Sequence, residues 1–265
     1  MPPTGPAGLA LVTGAARRLG RAMALHLAGQ GYDLALHHAT SQAEAGEVAA
    51  EIRAMGRRAD LFGADLLDEA QAAALIPAVA ARMGGPVTVL VNNASIFEFD
   101  DLETATRDSW DRHFGSNLRA PFVLTQAMAA QGLEPGRDGA GEPLAAGLIV
   151  NMIDQRVLKP VPDYMSYGIA KAGLWAMTRM TAQALAPRIR VNAIGPGPTL
   201  RGGRQTPEQF ARQRAATPLN RGANPADICA ALGFFLDSPS VTGQMICIDG
   251  GQHLAWQTPD TLGVE

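Results

Sequence analysis

Tyr167 and Lys171 stand four apart in Tyr167-Gly168-Ile169-Ala170-Lys171, at the opening of a helix-period stretch. That spacing sets a phenol and an ammonium on one face, one turn apart. A cation beside a phenol lowers its pKa toward the working range, where it can donate or accept a proton. Taken alone, the pair is equally compatible with surface decoration.

Near the start, Thr13-Gly14-Ala15-Ala16-Arg17-Arg18-Leu19-Gly20 separates a short apolar run from the helical pattern Arg21 to Gly29. Strand, glycine turn and helix follow in the order that lets a backbone approach a pyrophosphate and hold its charge at a helix N-terminus. The spacing differs from GxGxxG, so the turn alone also fits a purely structural role. Dinucleotide folds commonly carry an acid at the end of the second strand for the adenosine ribose. Here that strand ends Leu36-His37-His38-Ala39-Thr40-Ser41 without one. With Arg17 and Arg18 close by, the balance favours NADPH/NADP over NADH, and His37, His38 and Ser41 join the cofactor candidates. The two histidines fit equally well as ordinary strand-end residues.

These groups need a frame. Short apolar runs at Leu9 to Val12, Leu34 to His37, Ala59 to Phe62, Val87 to Val91, Leu148 to Met152, Ile189 to Ile194 and Gln244 to Ile248 alternate with helical patterns. Alternation of this kind predicts an α/β fold: a single Rossmann-type doubly wound domain over residues 1–265, with a mostly or wholly parallel seven-stranded sheet. Leu133 to Gly147 reads as a surface insertion, and residues 200–219 as a substrate loop or lid. Pro77 should break or restart the helix expected over Asp68 to Met83. Residues 1–7 are expected to be disordered. A net charge of −3 without a basic run leaves no footprint for nucleic acid or an anionic membrane. With no signal-like start and no long apolar window, a soluble, cytoplasmic protein is expected. The two cysteines, Cys229 and Cys247, lack metal-ligand spacing and read as buried reduced thiols.

The order of these features, with Asn92-Asn93-Ala94-Ser95, Asn117, Gly195-Pro196-Gly197 and Asp249-Gly250-Gly251, resembles the short-chain dehydrogenases/reductases along essentially the whole chain. The resemblance implies that Tyr167 is the general acid/base, that Lys171 holds the nicotinamide ribose and tunes Tyr167, and that Asn117 positions a relay water. It implies that Gly14, Arg17, Arg18, Leu19, Gly20, Asn93, Ala94, Ser95, Met152, Pro196, Gly197 and Thr199 line the cofactor. Asp65 and Leu66 would sit beside the adenine. Most of that family carry a serine where this chain has Asp154. That departure, with Asn93-Ala94-Ser95-Ile96-Phe97 and Tyr164-Met165-Ser166-Tyr167, resembles the pteridine reductases and related dihydropteridine or dihydromonapterin reductases.

This narrower resemblance implies a dihydropterin lying against Phe97, with Arg18, Ser95, Asp154, Tyr167, Gly197 and Leu200 around it, and a catalytic Asp154 that joins Tyr167 in proton delivery if burial raises its pKa; a strand-end cap is the alternative for that acid. It also implies a homotetramer. Many of those enzymes carry an arginine after the second strand for the 2′-phosphate, where this chain has Thr40 and Ser41. Arg201, Arg204, Arg212 and Arg214 in the lid leave open an anionic substrate, or a solvated amphipathic helix. A carbonyl reductase or alcohol dehydrogenase, and a cofactor-sensing binding protein without turnover, are the competing readings.

Overall fold

The central strands are apolar runs buried on both faces, as a parallel sheet beneath crossover helices requires. In the computed structural model, which describes residues 7–203 and 205–256, the strands are β1 (Leu9–Val12), β2 (Asp33–His38), β3 (Ala59–Gly63), β4 (Val89–Asn92), the short β5 (Gly136–Arg137) and β6 (Pro143–Leu144), β7 (Gly147–Met152), β8 (Ile189–Pro196) and β9 (Met245–Ile248). Seven of them form one sheet in the order β3-β2-β1-β4-β7-β8-β9, and every pairing in it is parallel. Strand order reverses between β1 and β4, which opens a crevice beyond their carboxyl ends.

The helices are α1 (Arg18–Gly29), α2 (Gln42–Ala54), α3 (Glu69–Met83), α4 (Arg107–Phe114), α5 (Ala120–Ala129), α6 (Met165–Leu185), α7 (Pro207–Ala215) and α8 (Pro225–Asp237). One face of the sheet packs on Met23 and Leu27 of α1, Val48 and Ile52 of α2, and Leu232 and Phe235 of α8. The other packs on Ile76 and Val79 of α3, Leu124 and Met128 of α5, and Leu185 of α6. Burial of these side chains is the main force holding the layers together, at about 1.5–3 kcal/mol for each large apolar group.

The expected break at Pro77 does not occur. Helix α3 runs through it, because Pro77 and Ala73 both lie on the exposed face, where water can satisfy the Ala73 carbonyl that lost its partner. Asp68 starts that helix by accepting the N–H groups of Ala70 and Gln71. The expected insertion is the antiparallel pair β5-β6 on an exposed loop. Both cysteines are free thiols. No helix of the described residues is long and apolar enough to cross a membrane. The expectations for residues 1–6 and for Arg204 lie outside the described residues.

Candidate active site

Beyond β1 and β4 lies a cleft of about 540 Å³. One wall is the turn after β1. Gly14 has φ 63°, in the left-handed region, and a side chain there would press on the Ala94 backbone. A Cβ on Gly20 would run into the Gly14 carbonyl, so only glycine lets α1 lie this close to the turn. The Thr13 hydroxyl accepts the N–H groups of Asn93 (2.8 Å) and Ala94 (2.9 Å), and Asn93 Nδ2 donates to the Thr13 carbonyl (2.8 Å). Turn and β4 are thereby tied into one surface. Helix α1 starts with no side-chain cap and no acid in its first turn. Its free N–H groups and dipole suit a pyrophosphate.

His37 and His38 have different tasks. His37 Nδ1 accepts the Gly14 N–H (3.1 Å), so Nε2 carries the hydrogen and donates to the Ala64 carbonyl (3.0 Å). Burial takes its pKa down to about 4. It is a neutral strut between the glycine turn and the end of β3, with no ring nitrogen left for the cofactor expected on it. His38 lines the cleft beside Thr40 and Ser41, and its buried Nδ1 has no partner among the described residues. Arg17 is exposed, 3.5 Å from Glu44. Arg18 also lines the cleft, but its guanidinium donates to the carbonyls of Leu200 (3.1 Å) and Arg201 (2.8 Å). It ties the glycine turn to the loop that follows β8.

Tyr167, in the first turn of α6, donates from its hydroxyl to Asp154 Oδ2 (3.1 Å). Asp154 Oδ1 accepts the Arg156 N–H (2.9 Å), so the carboxylate caps its turn and faces the phenol at once. Lys171, one turn further along α6, donates to the Met152 carbonyl (2.8 Å). Burial raises the Asp154 carboxyl above its ordinary value against the pull of Arg156, Tyr167 and Lys171. Burial and then the Asp154 charge push the Tyr167 phenol well above its ordinary value. This reverses the lowering expected from Lys171, whose own pKa burial takes down to about 8. The phenol therefore holds its proton at neutral pH, as a proton donor for reduction must.

Asn117 lies in a π-helical turn, Gly115–Arg119, between α4 and α5. Its Oδ1 accepts the Ile96 N–H (3.2 Å) and its Nδ2 donates to the Ile96 carbonyl (2.9 Å). Both polar atoms of the side chain thus hold the segment leading to Phe97, and they do not line the cleft. Asp65 and Leu66 also stand outside the cleft lining: Asp65 Oδ1 accepts the Leu67 N–H (3.0 Å), and Leu66 is buried. Leu19, Ser95, Met152, Pro196, Gly197, Thr199 and Leu200 all line it. Phe97 stacks on Tyr164, with centroids 4.3 Å apart and planes at 10°, and meets Tyr167 edge-on at 4.7 Å.

A second chamber, about 440 Å³, adjoins the first and shares Phe97, Asp154, Tyr167, Gly197 and Leu200 with it. Gln155, Arg156, Tyr164 and Phe210 of α7 close it. Of the arginines expected in a lid, Arg214 donates to the carbonyls of Pro198 (3.0 Å) and Gly222 (3.1 Å), which makes it a loop anchor. Sequence reasoning passed over Gln155 and Arg156, although they directly follow Asp154.

It also passed over a buried polar cluster beneath the site. The Ser166 hydroxyl donates to Asp100 Oδ2, and the Ser166 N–H donates to Asp100 Oδ1 (3.1 Å). His113 Nε2 accepts the Glu98 N–H (3.1 Å), so Nδ1 donates to Ser166 Oγ (2.6 Å). The cluster clamps the strap carrying Phe97 to the helix carrying Tyr167.

Over residues 14–253 the chain matches the family model described as Enoyl-(Acyl carrier protein) reductase. It is 32% identical to the short-chain dehydrogenase/reductase eriH of Hericium erinaceus, covering 92% of this chain and 97% of that protein. It is 31% identical to the 3-oxoacyl-[acyl-carrier-protein] reductase FabG of Staphylococcus aureus, covering 92% and 98%. This chain belongs to the short-chain dehydrogenase/reductase family and is an oxidoreductase by fold and site. Among solved structures, FolM Alternative dihydrofolate reductase 1 from Brucella canis complexed with NADP superposes with a TM-score of 0.88 at 43% identity, over 96% of this chain and 97% of that one. The Brucella suis FolM, also with NADP, gives 0.87 at 44% identity, over 97% and 98%. A blue fluorescent protein from a metagenomic library, with NADPH, gives 0.83 at 32%, over 93% and 98%.

Proposed function

We propose that this chain is an NADPH-dependent pterin reductase, acting on a dihydropterin or dihydrofolate-type ring. The observation that carries the reading is the Asp154–Tyr167 hydrogen bond at the junction of the two chambers. A ring nitrogen must gain a proton as its neighbouring carbon gains a hydride. A phenol that keeps its proton, beside a half-buried carboxyl of raised pKa, matches that need. Phe97 and Tyr164 offer an aromatic wall for a flat heterocycle. The NADP named in the two FolM structures supports the cofactor choice.

The residues present fit such a cofactor. A Cβ would fill the cradle at Gly14 and Gly20, and the orphaned His38 Nδ1 stands with Thr40 and Ser41 where a 2′-phosphate would be held. Arg17 adds an exposed cation beside it. When bound, the reduced nicotinamide supplies the hydride. Lys171 presents a cation on the inner wall of the cleft for its ribose, while Tyr167 delivers the proton and Asp154 holds the phenol in place.

The test is NADPH oxidation by the purified protein with a 7,8-dihydropterin, a quinonoid dihydropterin and several ketones, beside an NADH control. Pterin-dependent oxidation with NADPH is expected, and Asp154→Ser should depress it more than any ketone reduction. Ketone turnover with no pterin turnover would overturn the pterin reading and leave a carbonyl reductase of the kind its FabG relative represents.

A further inference from the structure

Phe97 is held through its two neighbours in the chain. On one side, Asn117 bonds both backbone groups of Ile96 (3.2 and 2.9 Å). On the other, the Glu98 N–H has His113 Nε2 as its acceptor (3.1 Å). Between these clamps the Phe97 ring reaches Tyr164 and Tyr167, with centroids 4.3 and 4.7 Å away. An amide keeps its pattern of donors and acceptors at every pH. An imidazole does not.

The hydrogen bonds around His113 leave it one state. The Ser166 hydroxyl spends its single hydrogen on Asp100 Oδ2, so toward His113 it can only accept, and Nδ1 carries a hydrogen. The Glu98 N–H can only donate, so Nε2 carries none. The ring is neutral, fully buried and edge-on to Tyr167 at 6.1 Å. A second hydrogen, on Nε2, would point at the Glu98 N–H, and donor would face donor where water cannot enter. The clamp on that side of Phe97 would open.

The charges that face the ring oppose one another. The strap brings the Asp100 carboxylate, 3.8 Å from Nδ1, and Glu98; α4 brings Arg112, itself bonded to the Glu98 carboxylate at 2.8 Å. Helix α6 brings Ser166 and Tyr167, both uncharged at neutral pH. Burial holds the imidazole below its ordinary value of 6.5, against the pull of Asp100 and Glu98 and with Arg112 adding to the lowering. The ring is therefore neutral at pH 7 and takes its second proton only as pH falls through the lowered value.

We propose that His113 is a positioning residue for the reduction: through the Glu98 N–H it holds the Phe97 ring at the substrate, and a proton on Nε2 lets that ring go. The inference rests on Phe97 being the wall for a flat substrate, as the pterin-reductase reading has it. Since the clamp bears on the wall and leaves the Asp154–Tyr167 hydrogen bond alone, its loss belongs in KM more than in kcat.

The test compares wild type, His113→Gln and His113→Leu. Glutamine can set its amide oxygen where Nε2 stands and accept the Glu98 N–H at every pH; leucine accepts at none. NADPH is kept saturating and 6-methyl-7,8-dihydropterin is varied between pH 5.5 and 7.5. Wild-type KM should rise about tenfold toward acid, as the loss of one buried hydrogen bond at the wall implies, with kcat moving less. His113→Gln should lack the rise, and His113→Leu should have a high KM throughout. Titration of Asp154 is common to all three and cancels in the comparison. In nitrogen NMR spectra of histidine-labelled wild type, the ring absent from His113→Gln should carry its hydrogen on Nδ1 alone at pH 7.5, and on both nitrogens where KM has risen.

A flat wild-type KM, an equal acid rise in His113→Gln, or a ring that stays neutral while KM rises would overturn the proposal. Should His113→Leu fail to fold, the glutamine variant and the spectra decide. If the enzyme reduces only a ketone, the pterin reading falls, and the same comparison on that ketone still shows whether His113 positions the wall.

Discussion

Replacing Tyr167 with phenylalanine removes one oxygen from the site and leaves the ring that Phe97 packs against. Only the proton donor is lost, so turnover should fall about 10²–10⁴-fold while NADPH affinity, measured by fluorescence titration, changes little. A near-normal rate would place the proton elsewhere. Lys171 makes a separate claim on pH. With a pKa near 8, it is charged below that value and loses its charge as pH rises through it. The cation proposed to hold the nicotinamide ribose then disappears, so kcat/KM should fall on the alkaline side with a midpoint near 8. Lys171→Arg, whose charge persists, should carry that limb out of the accessible range. A wild-type profile flat to pH 9 would mean that Lys171 keeps its charge there, or that the charge has no part in the reaction.

At the scale of elements, the decisive contacts join pieces far apart in sequence. Asp100 sits on the strap after Phe97, His113 on α4 and Ser166 on α6, all fully buried. Burial pushes the Asp100 carboxyl up, but hydrogen bonds from Ser166 and Ser109, with His113 nearby, outweigh it and hold the group below its ordinary value. That contribution to stability is therefore present above the ordinary carboxylate range and is lost as pH falls through the lowered value. Asp100→Ala strands the Ser166 N–H and hydroxyl, and should cost about 3 kcal/mol in chemical denaturation at neutral pH, with a smaller difference in acid. Equal stability of variant and wild type would show that the cluster clamps nothing.

None of this cluster was legible in the sequence, because its members share no local spacing; only the fold brings them together. The strands were legible, since a buried parallel strand is a continuous apolar run bounded by turn residues. So were the glycine turn and the Tyr167–Lys171 pair, whose chemistry depends on near neighbours. What misled was context: Pro77 is tolerated on a wet helix face, His37 is consumed by the main chain, and the Tyr167 phenol answers to Asp154 and burial more than to Lys171. Arg156 escaped notice because an arginine in a turn declares nothing until the Tyr164 and Phe97 rings beside it are seen.

At the scale of the molecule, α4, α5 and α6 leave a long apolar groove of about 1020 Å³, lined by Trp110, Phe114, Leu118, Phe122, Met177 and Met180. Met180 is 68% exposed and Trp110 39%. A contiguous apolar face of this kind is uncommon on a monomer. It lies on the helices that carry the site: α6 brings Tyr167 and Lys171, and the turn between α4 and α5 brings Asn117. We propose that a second copy of the chain covers it about a two-fold axis, with α6 packing on its counterpart, as half of the tetramer that the family resemblance implies. The Arg107–Asp111 ion pair at the groove's edge, 2.6 Å apart, sets both signs of charge where a two-fold mate would present the same pair. Met180→Glu would place a carboxylate in the middle of that contact without touching the cleft. In sedimentation velocity at micromolar concentration, the wild type should run as an assembly and the variant as smaller species. A monomeric wild type, or an assembly of undiminished size in Met180→Glu, would mean that the groove has another occupant and that α6 holds Tyr167 in place without help from a partner.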